Sequence, residues 1–184
     1  SIISTKITPP RLRKDIVLRS RLLDLLEASL SRPSVLTLVS APAGYGKTTF
    51  VLNSLPTIKL SYAWLSLEPE DDVFSRFIVY LISALQTIHP SVGKSALALF
   101  EGIQFPKTEM ILPNVINDLV KQSACVLVLD DYHVITSSEI HTFIESLIEH
   151  AQSHLQIIIT TRADPPLRLA KWRARNLLTE IQAN

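Results

Sequence analysis

Hydrophobic and polar positions along this chain switch repeatedly between two periods. Val35–Val39 (VLTLV), Tyr62–Leu67, Val126–Leu129 and Gln156–Thr161 are short apolar runs rich in β-branched residues, the pattern of buried strands. Thr179–Gln182 could add a fifth. Between these runs the period lengthens. Apolar residues at 22, 23, 25, 26 and 30 predict a helix over Arg19–Leu30. Thr48–Leu55 predicts a second helix, stopped near Pro56. Val73–Ile88 predicts a long one, with Asp71 or Asp72 as its N-cap and Pro90 just past its end. Pro113–Gln122 and Ser137–Ala151 read as helical, the latter capped by Ser137 or Ser138. Residues 89–108, broken by Gly93, Gly102 and Pro106, read as irregular, and residues 1–15 as an extended arm. Strands alternating with helices predict an α/β fold, a parallel sheet covered on both faces.

Candidate chemistry gathers where strands end. SAPAGYGKTT (40–49) leaves the first predicted strand and opens a helix. As a phosphate-binding Walker A loop it runs Ala41, Pro42, Ala43, Gly44, Tyr45, Gly46, Lys47, Thr48, with Ala41 where the pattern has its first glycine. Such a loop wraps its N–H groups around phosphates, which needs backbone conformations that glycine adopts cheaply. Two of the chain's four glycines stand here, Gly44 and Gly46. Pro42–Thr49 would then cradle the nucleotide, with the helix N-terminus facing the anion. Lys47, expected to stand exposed in the nucleotide-free loop, would reach the β- and γ-phosphates. Thr48 would offer its hydroxyl to magnesium.

The second half of the site is Val126–Asp131, a buried strand ending in two carboxylates. Ligands of open α/β sheets bind at that edge. Asp130 would hold magnesium, directly or through water, and Asp131 would act on the attacking water as general base or orienter. Arg162 closes the fourth predicted strand and is either a surface residue or a sensor of the γ-phosphate. His133 either touches this site or merely ends the strand. His141 and Glu145, four apart, read as an exposed helix pair rather than a metal site. Glu68, Glu70, Asp71 and Asp72 read as a solvated loop and helix start. Arg168, Lys171, Arg173 and Arg175 read as a wet helix face, the alternative being a phosphate or partner-domain contact.

Composition narrows the class. At 184 residues, 47% hydrophobic and 19% charged, the chain is one ordinary globular domain. A net charge of +1 supplies no global field toward nucleic acid or anionic lipid. The single cysteine, Cys125, lies in an apolar run, reads as a buried small hydrophobe and excludes an internal disulfide. No apolar run nears the ~20 residues that span a bilayer, and Ser1–Pro10 has no secretory pattern. The cytoplasm is the expected compartment. The chain starts at Ser1 rather than Met, and a piece of something longer is expected.

The combination of TKITPPRLRKDIVLRSRLLDLL (5–26), SAPAGYGKTT, AWLSLEPEDD (63–72), VLVLDDYHVIT (126–136) and TTRADPPLRLAKWRARNLLTEI (160–181) resembles the ATPase domain of the large ATP-binding LuxR-type regulators. This is the family of the maltose-regulon activator, among the signal-transduction ATPases with numerous domains. The resemblance implies a P-loop NTPase three-layer sandwich with strand order 5-1-4-3-2. It implies that Arg162 is the γ-phosphate sensor, that Val17 and Arg19 meet the adenine, and that Trp64 is a packing residue. Residues 1–30 would form the arm and first helix on the adenine side, and 31–184 the P-loop core. Family members carry further sensor and DNA-binding domains, expected to be absent from this chain. The implied function is an ATP-binding, slowly hydrolysing switch of a bacterial signal-responsive transcription regulator. Its cofactors would be ATP or ADP with magnesium. A small-molecule inducer and DNA would bind through the other domains, and the longer protein would self-associate when ATP is bound. Two rivals share the loop chemistry: a P-loop small-molecule kinase, and a nucleotide-binding scaffold without turnover.

Overall fold

The structure is a computed structural model that describes residues 2–11, 20–31, 35–44, 46–102 and 106–182. Five strands form one sheet: β1 (Leu36–Ser40), β2 (Ser61–Ser66), β3 (Cys125–Asp130), β4 (Leu155–Thr161) and β5 (Leu178–Gln182). Every pairing is parallel and the spatial order is β2-β3-β4-β1-β5, the expected 5-1-4-3-2 read from the other side. Strand β4, which Arg162 directly follows, thus lies between β1 and β3, the strand that ends in Asp130.

Side-chain alternation sorts the core onto two faces. Leu36, Leu38, Ala63, Leu65, Leu127, Leu129, Ile157 and Ile159 point one way. There they meet α3 (Phe74–Gln86), α4 (Lys94–Gly102), α5 (Thr108–Leu119), α6 (Ser138–His150) and α7 (Leu169–Ala174). Val39, Trp64, Val126, Val128 and Ile158 point the other way. They pack on α1 (Ser20–Leu30) and α2 (Lys47–Ser54). This is a three-layer α/β sandwich with the strand order that the family resemblance implies. Trp64 is buried as a packing residue, its indole N–H donating to Ser66 Oγ at 2.8 Å. Cys125 is buried too, and desolvation pushes its thiol up to about 11.

Several expectations need correction. Residues 89–108 are not all irregular: Gly93 precedes α4 and Gly102 is its last residue, and the Gly93 N–H donates to Asp118 on α5 at 2.9 Å. Helix α5 starts at Thr108, with Pro113 inside it. An interior proline costs about 3 kcal/mol. Burial of Ile111, Val115 and Leu119 along one stripe offsets that cost. The acidic run is not simply solvated. Asp71 is fully buried and caps the turn Pro69–Asp71, its carboxylate taking the Glu68 N–H at 2.9 Å. Helix α3 has Val73 as N-cap instead. Asp72 accepts the Thr136 and Ser137 N–H groups, both at 2.8 Å, whereas Ser137 itself makes no side-chain cap bond to α6.

The N-terminal segment is likewise not simply an extended arm. Ser4–Ile7 forms a 3-10 turn, and Lys6 is buried against Asp71 and Glu68 with its ammonium 4.7 Å from the Tyr80 ring centre. His141 is buried rather than exposed, because its Nδ1 bonds the Tyr132 hydroxyl at 2.8 Å. The basic cluster around α7 faces solvent as expected, and three of its four members also pair within the chain: Arg168 with Glu145, Lys171 with Glu149 and Arg173 with Glu180.

Candidate functional site

The parallel register brings the C-terminal ends of four strands to one edge. Ser66 lies opposite Asp130, and Ser40 opposite Thr161. Between β1 and α2 the chain turns through Gly44 and Gly46, at φ 82° and 74°. A Cβ at either would meet nothing within 4 Å, so left-handed backbone rather than crowding calls for glycine here. Gly46 is the N-cap of α2, and its carbonyl accepts the Phe50 N–H at 2.7 Å. The first N–H groups of a helix have no intrahelical partner, and they carry the positive end of its dipole. Pro42, Ala43 and Gly44 are exposed at the mouth of this turn, and Thr48 and Thr49 lie in its first helical turn. Tyr45, Val17 and Arg19 lie outside the described residues.

Lys47 does not stand out into solvent as expected. It is only 6% exposed, and its ammonium donates to the carbonyls of Ala41 at 2.9 Å and Pro42 at 3.1 Å. An ammonium has three donors. The two bonds fold the side chain back over its own loop, satisfy a charge that burial would otherwise penalise, and hold it at the turn.

Across the edge, Thr48 Oγ1 donates to both carboxylate oxygens of Asp130, at 2.8 and 3.0 Å. Thr160, on β4, donates to Asp130 Oδ1 at 2.6 Å. Asp130 is 5% exposed, and burial pushes its carboxyl above the ordinary range despite those hydroxyls. Asp131 leaves the strand in a left-handed turn, φ 61°, with its side chain 43% exposed. His133 Nδ1 lies 3.7 Å from Asp131 Oδ1. Burial lowers the pKa of His133, Asp131 opposes this, and the charges of Arg162 and Lys47 add to the lowering. His133 thus lies in the 3-10 turn Tyr132–Val134 past the strand end, on the side of Asp131. Arg162 is exposed directly after β4.

A hydroxyl and a carboxylate on facing elements form an oxygen-only pair that fits a hard divalent cation. Among the described residues no three His, Cys, Asp or Glu side chains converge. Magnesium typically takes one or two protein carboxylates and completes its shell with phosphate and water.

No protein-family model matches the chain. It is 36% identical over 180 residues to the HTH-type transcriptional regulator MalT of Vibrio campbellii, covering 97% of this chain and 20% of that protein. Identity to MalT of Vibrio cholerae is 33%, over 97% of this chain and 20% of the relative. Identity to MalT of Serratia proteamaculans is 34%, over 98% and 20%. The chain is thus similar to one segment of the MalT transcriptional regulators. It spans about a fifth of the length of the relatives it matches. Among solved structures, C. elegans PCH-2 aligns over 89% of this chain and 41% of its own, with TM-score 0.42 and 13% identity, too distant to carry an argument.

In this MalT-like segment, sequence reasoning named the loop, both aspartates and the arginine, and the fold brings them to one edge. It missed Thr160, whose hydroxyl touches Asp130 and takes the Asp131 N–H at 2.9 Å. A threonine inside an apolar β-branched run was the available signal: a polar atom at a core position needs a partner.

Proposed function

We propose that this segment binds ATP with magnesium and hydrolyses it slowly, as the switch of a transcription regulator. Pro42–Thr49 receives the phosphates on the loop and first-turn N–H groups, and Lys47 contributes the remaining donor of its anchored ammonium. Thr48 and Asp130 hold the cation, which when bound neutralises charge on the β- and γ-phosphates. Asp131, exposed beyond Asp130, orients or deprotonates water, and Arg162 contacts the γ-phosphate from the neighbouring strand end. Val17 and Arg19 are assigned to the adenine on the family resemblance. A ligand shifts a two-state protein only through different affinity for its states. Here the γ-phosphate would supply that difference at Arg162 and Asp131. The inducer, DNA and self-association would belong to the rest of the longer protein.

The observation that carries this reading is the Thr48–Asp130 pair at 2.8 Å beside a left-handed Gly46 N-cap. A fluorescent ATP analogue titrated with and without magnesium tests it, alongside phosphate release with and without candidate acceptors. Magnesium-dependent binding with release to water is expected. Release only in the presence of an acceptor would point to a kinase, and binding without release to a scaffold. No binding in either condition would sink the proposal.

A further inference from the structure

Asp130 and Asp131 are adjacent in sequence, yet one atom on another strand touches both. The Thr160 hydroxyl donates its single proton to Asp130 Oδ1 at 2.6 Å, and its oxygen accepts the Asp131 N–H at 2.9 Å. A threonine hydroxyl has one donor and two lone pairs, so the two bonds form together without competing. Thr160 is fully buried. The backbone ladder of β3 and β4 runs as far as Leu129 opposite Ile159. One step later the side chain of Thr160 takes over from the ladder, and there Asp131 turns left-handed, at φ 61° and ψ 41°. Such a backbone is uncommon outside glycine and persists where its surroundings fix it. The neighbouring Thr161 is used differently: its hydroxyl donates to the Ala163 carbonyl at 2.6 Å and shapes the turn that carries Arg162.

We propose that Thr160 is a positioning residue that sets both carboxylates from one hydroxyl, on the strand that ends in Arg162. The proposal rests on the magnesium–ATP reading for its consequence, and on the geometry alone for its cause. Arg162 lies two residues beyond Thr160. A displacement of the β4 end by a phosphate at Arg162 therefore moves the hydroxyl that holds Asp130 and Asp131. Partners of ligating carboxylates are typically worth 10–100-fold in metal affinity or activity.

Thr160→Val keeps the shape and removes the hydroxyl, whereas Thr160→Ser keeps the hydroxyl. The first readout needs no ligand: amide hydrogen exchange of the nucleotide-free protein, followed residue by residue by NMR. Exchange at Asp131 is expected to rise at least about tenfold in the Val variant and to return near wild type in the Ser variant. Exchange at Val126–Val128 should stay unchanged. The second readout is affinity for a fluorescent ATP analogue in EDTA and in magnesium. Affinity in EDTA should stay within about twofold, while the magnesium-dependent gain falls about 10–100-fold and Ser restores it. Equal losses with and without magnesium, or no rescue by Ser, would reduce Thr160 to a structural filler and overturn the proposal. If wild type binds no analogue, the nucleotide reading fails by itself, and unchanged exchange at Asp131 then overturns the positioning role separately. Should the Val variant not fold, Thr160→Cys, similar in size with weaker hydrogen bonds, takes its place.

Discussion

Two buried carboxylates, Asp71 and Asp130, are treated in opposite ways by the same fold. Asp71 is fully buried, and its own chain supplies its counter-charges: Arg76 Nε at 2.9 Å on one oxygen, Lys6 and the Glu68 N–H on the other. Asp130 is nearly as buried, but its contacts are the hydroxyls of Thr48 and Thr160. The cation closest in sequence to Thr48, Lys47, gives two of its donors to carbonyls of its own loop. Burial thus raises the pKa of Asp130, whereas Asp71 sits in a paired network. Burial alone does not mark function. A carboxylate desolvated without a contacting counter-charge, at a strand end beside a glycine turn that opens a helix, is the better functional-site candidate.

That contrast can be broken most severely at Asp71. Asp71→Ala leaves the buried Lys6 ammonium with only the half-exposed Glu68, at 3.2 Å, and removing one partner of a buried pair costs up to about 3–5 kcal/mol. Urea unfolding should show the loss, and adding Lys6→Met should recover most of it. A cost below about 1 kcal/mol would show that the pair is not structural.

Lys47→Ala comes next. It should weaken nucleotide binding by about 1.5–3 kcal/mol, the range of hydrogen bonds to charged groups. It should also lower the unfolding midpoint, because Lys47 is buried on the Ala41 and Pro42 carbonyls. Titration and denaturation of the same sample separate the two effects. Unchanged affinity in a folded variant would remove Lys47 from the site.

Asp130→Asn should act in the opposite direction on stability. The folded state raises the pKa of Asp130, so it holds a proton more tightly than the unfolded chain does. Stability therefore falls as pH rises from the ordinary carboxylate range, about 3.9, through the folded value. At neutral pH the amide should be more stable by about 0.5–2 kcal/mol, while losing magnesium-dependent binding. An advantage that did not grow with pH over that window would contradict the assignment of strain to Asp130.

The smallest effect belongs to His141, which burial holds at a lowered pKa against the opposing charge of Asp72. Here the unfolded chain takes up the proton first. Stability is full above about pH 6.5 and declines as pH falls below it toward the folded value. His141→Gln should flatten that decline in denaturation measured from pH 7 downward. An unaltered slope would place the titration elsewhere.

What the sequence determined by itself is local and contiguous. A strand, a glycine turn and a helix start follow one another within Val35–Leu55, and a strand ending in two aspartates lies within Val126–Asp131. Period-2 runs alternating with helical ones then leave a parallel sheet with both faces covered, and such sheets bind ligands at the carboxyl ends of their strands. The strand order came from family resemblance, since periodicity carries no neighbour information. Only the tertiary structure decided which distant groups meet. Lys6 reaches Asp71 across 65 residues, and Thr160 reaches Asp130 across 30. It also turned Lys47 inward and buried His141 on Tyr132. The reason is geometric. Side chains on a strand alternate faces, so a one-residue change of register would send the Thr160 hydroxyl to the opposite side of the sheet, and register is fixed by the packing of both cores at once.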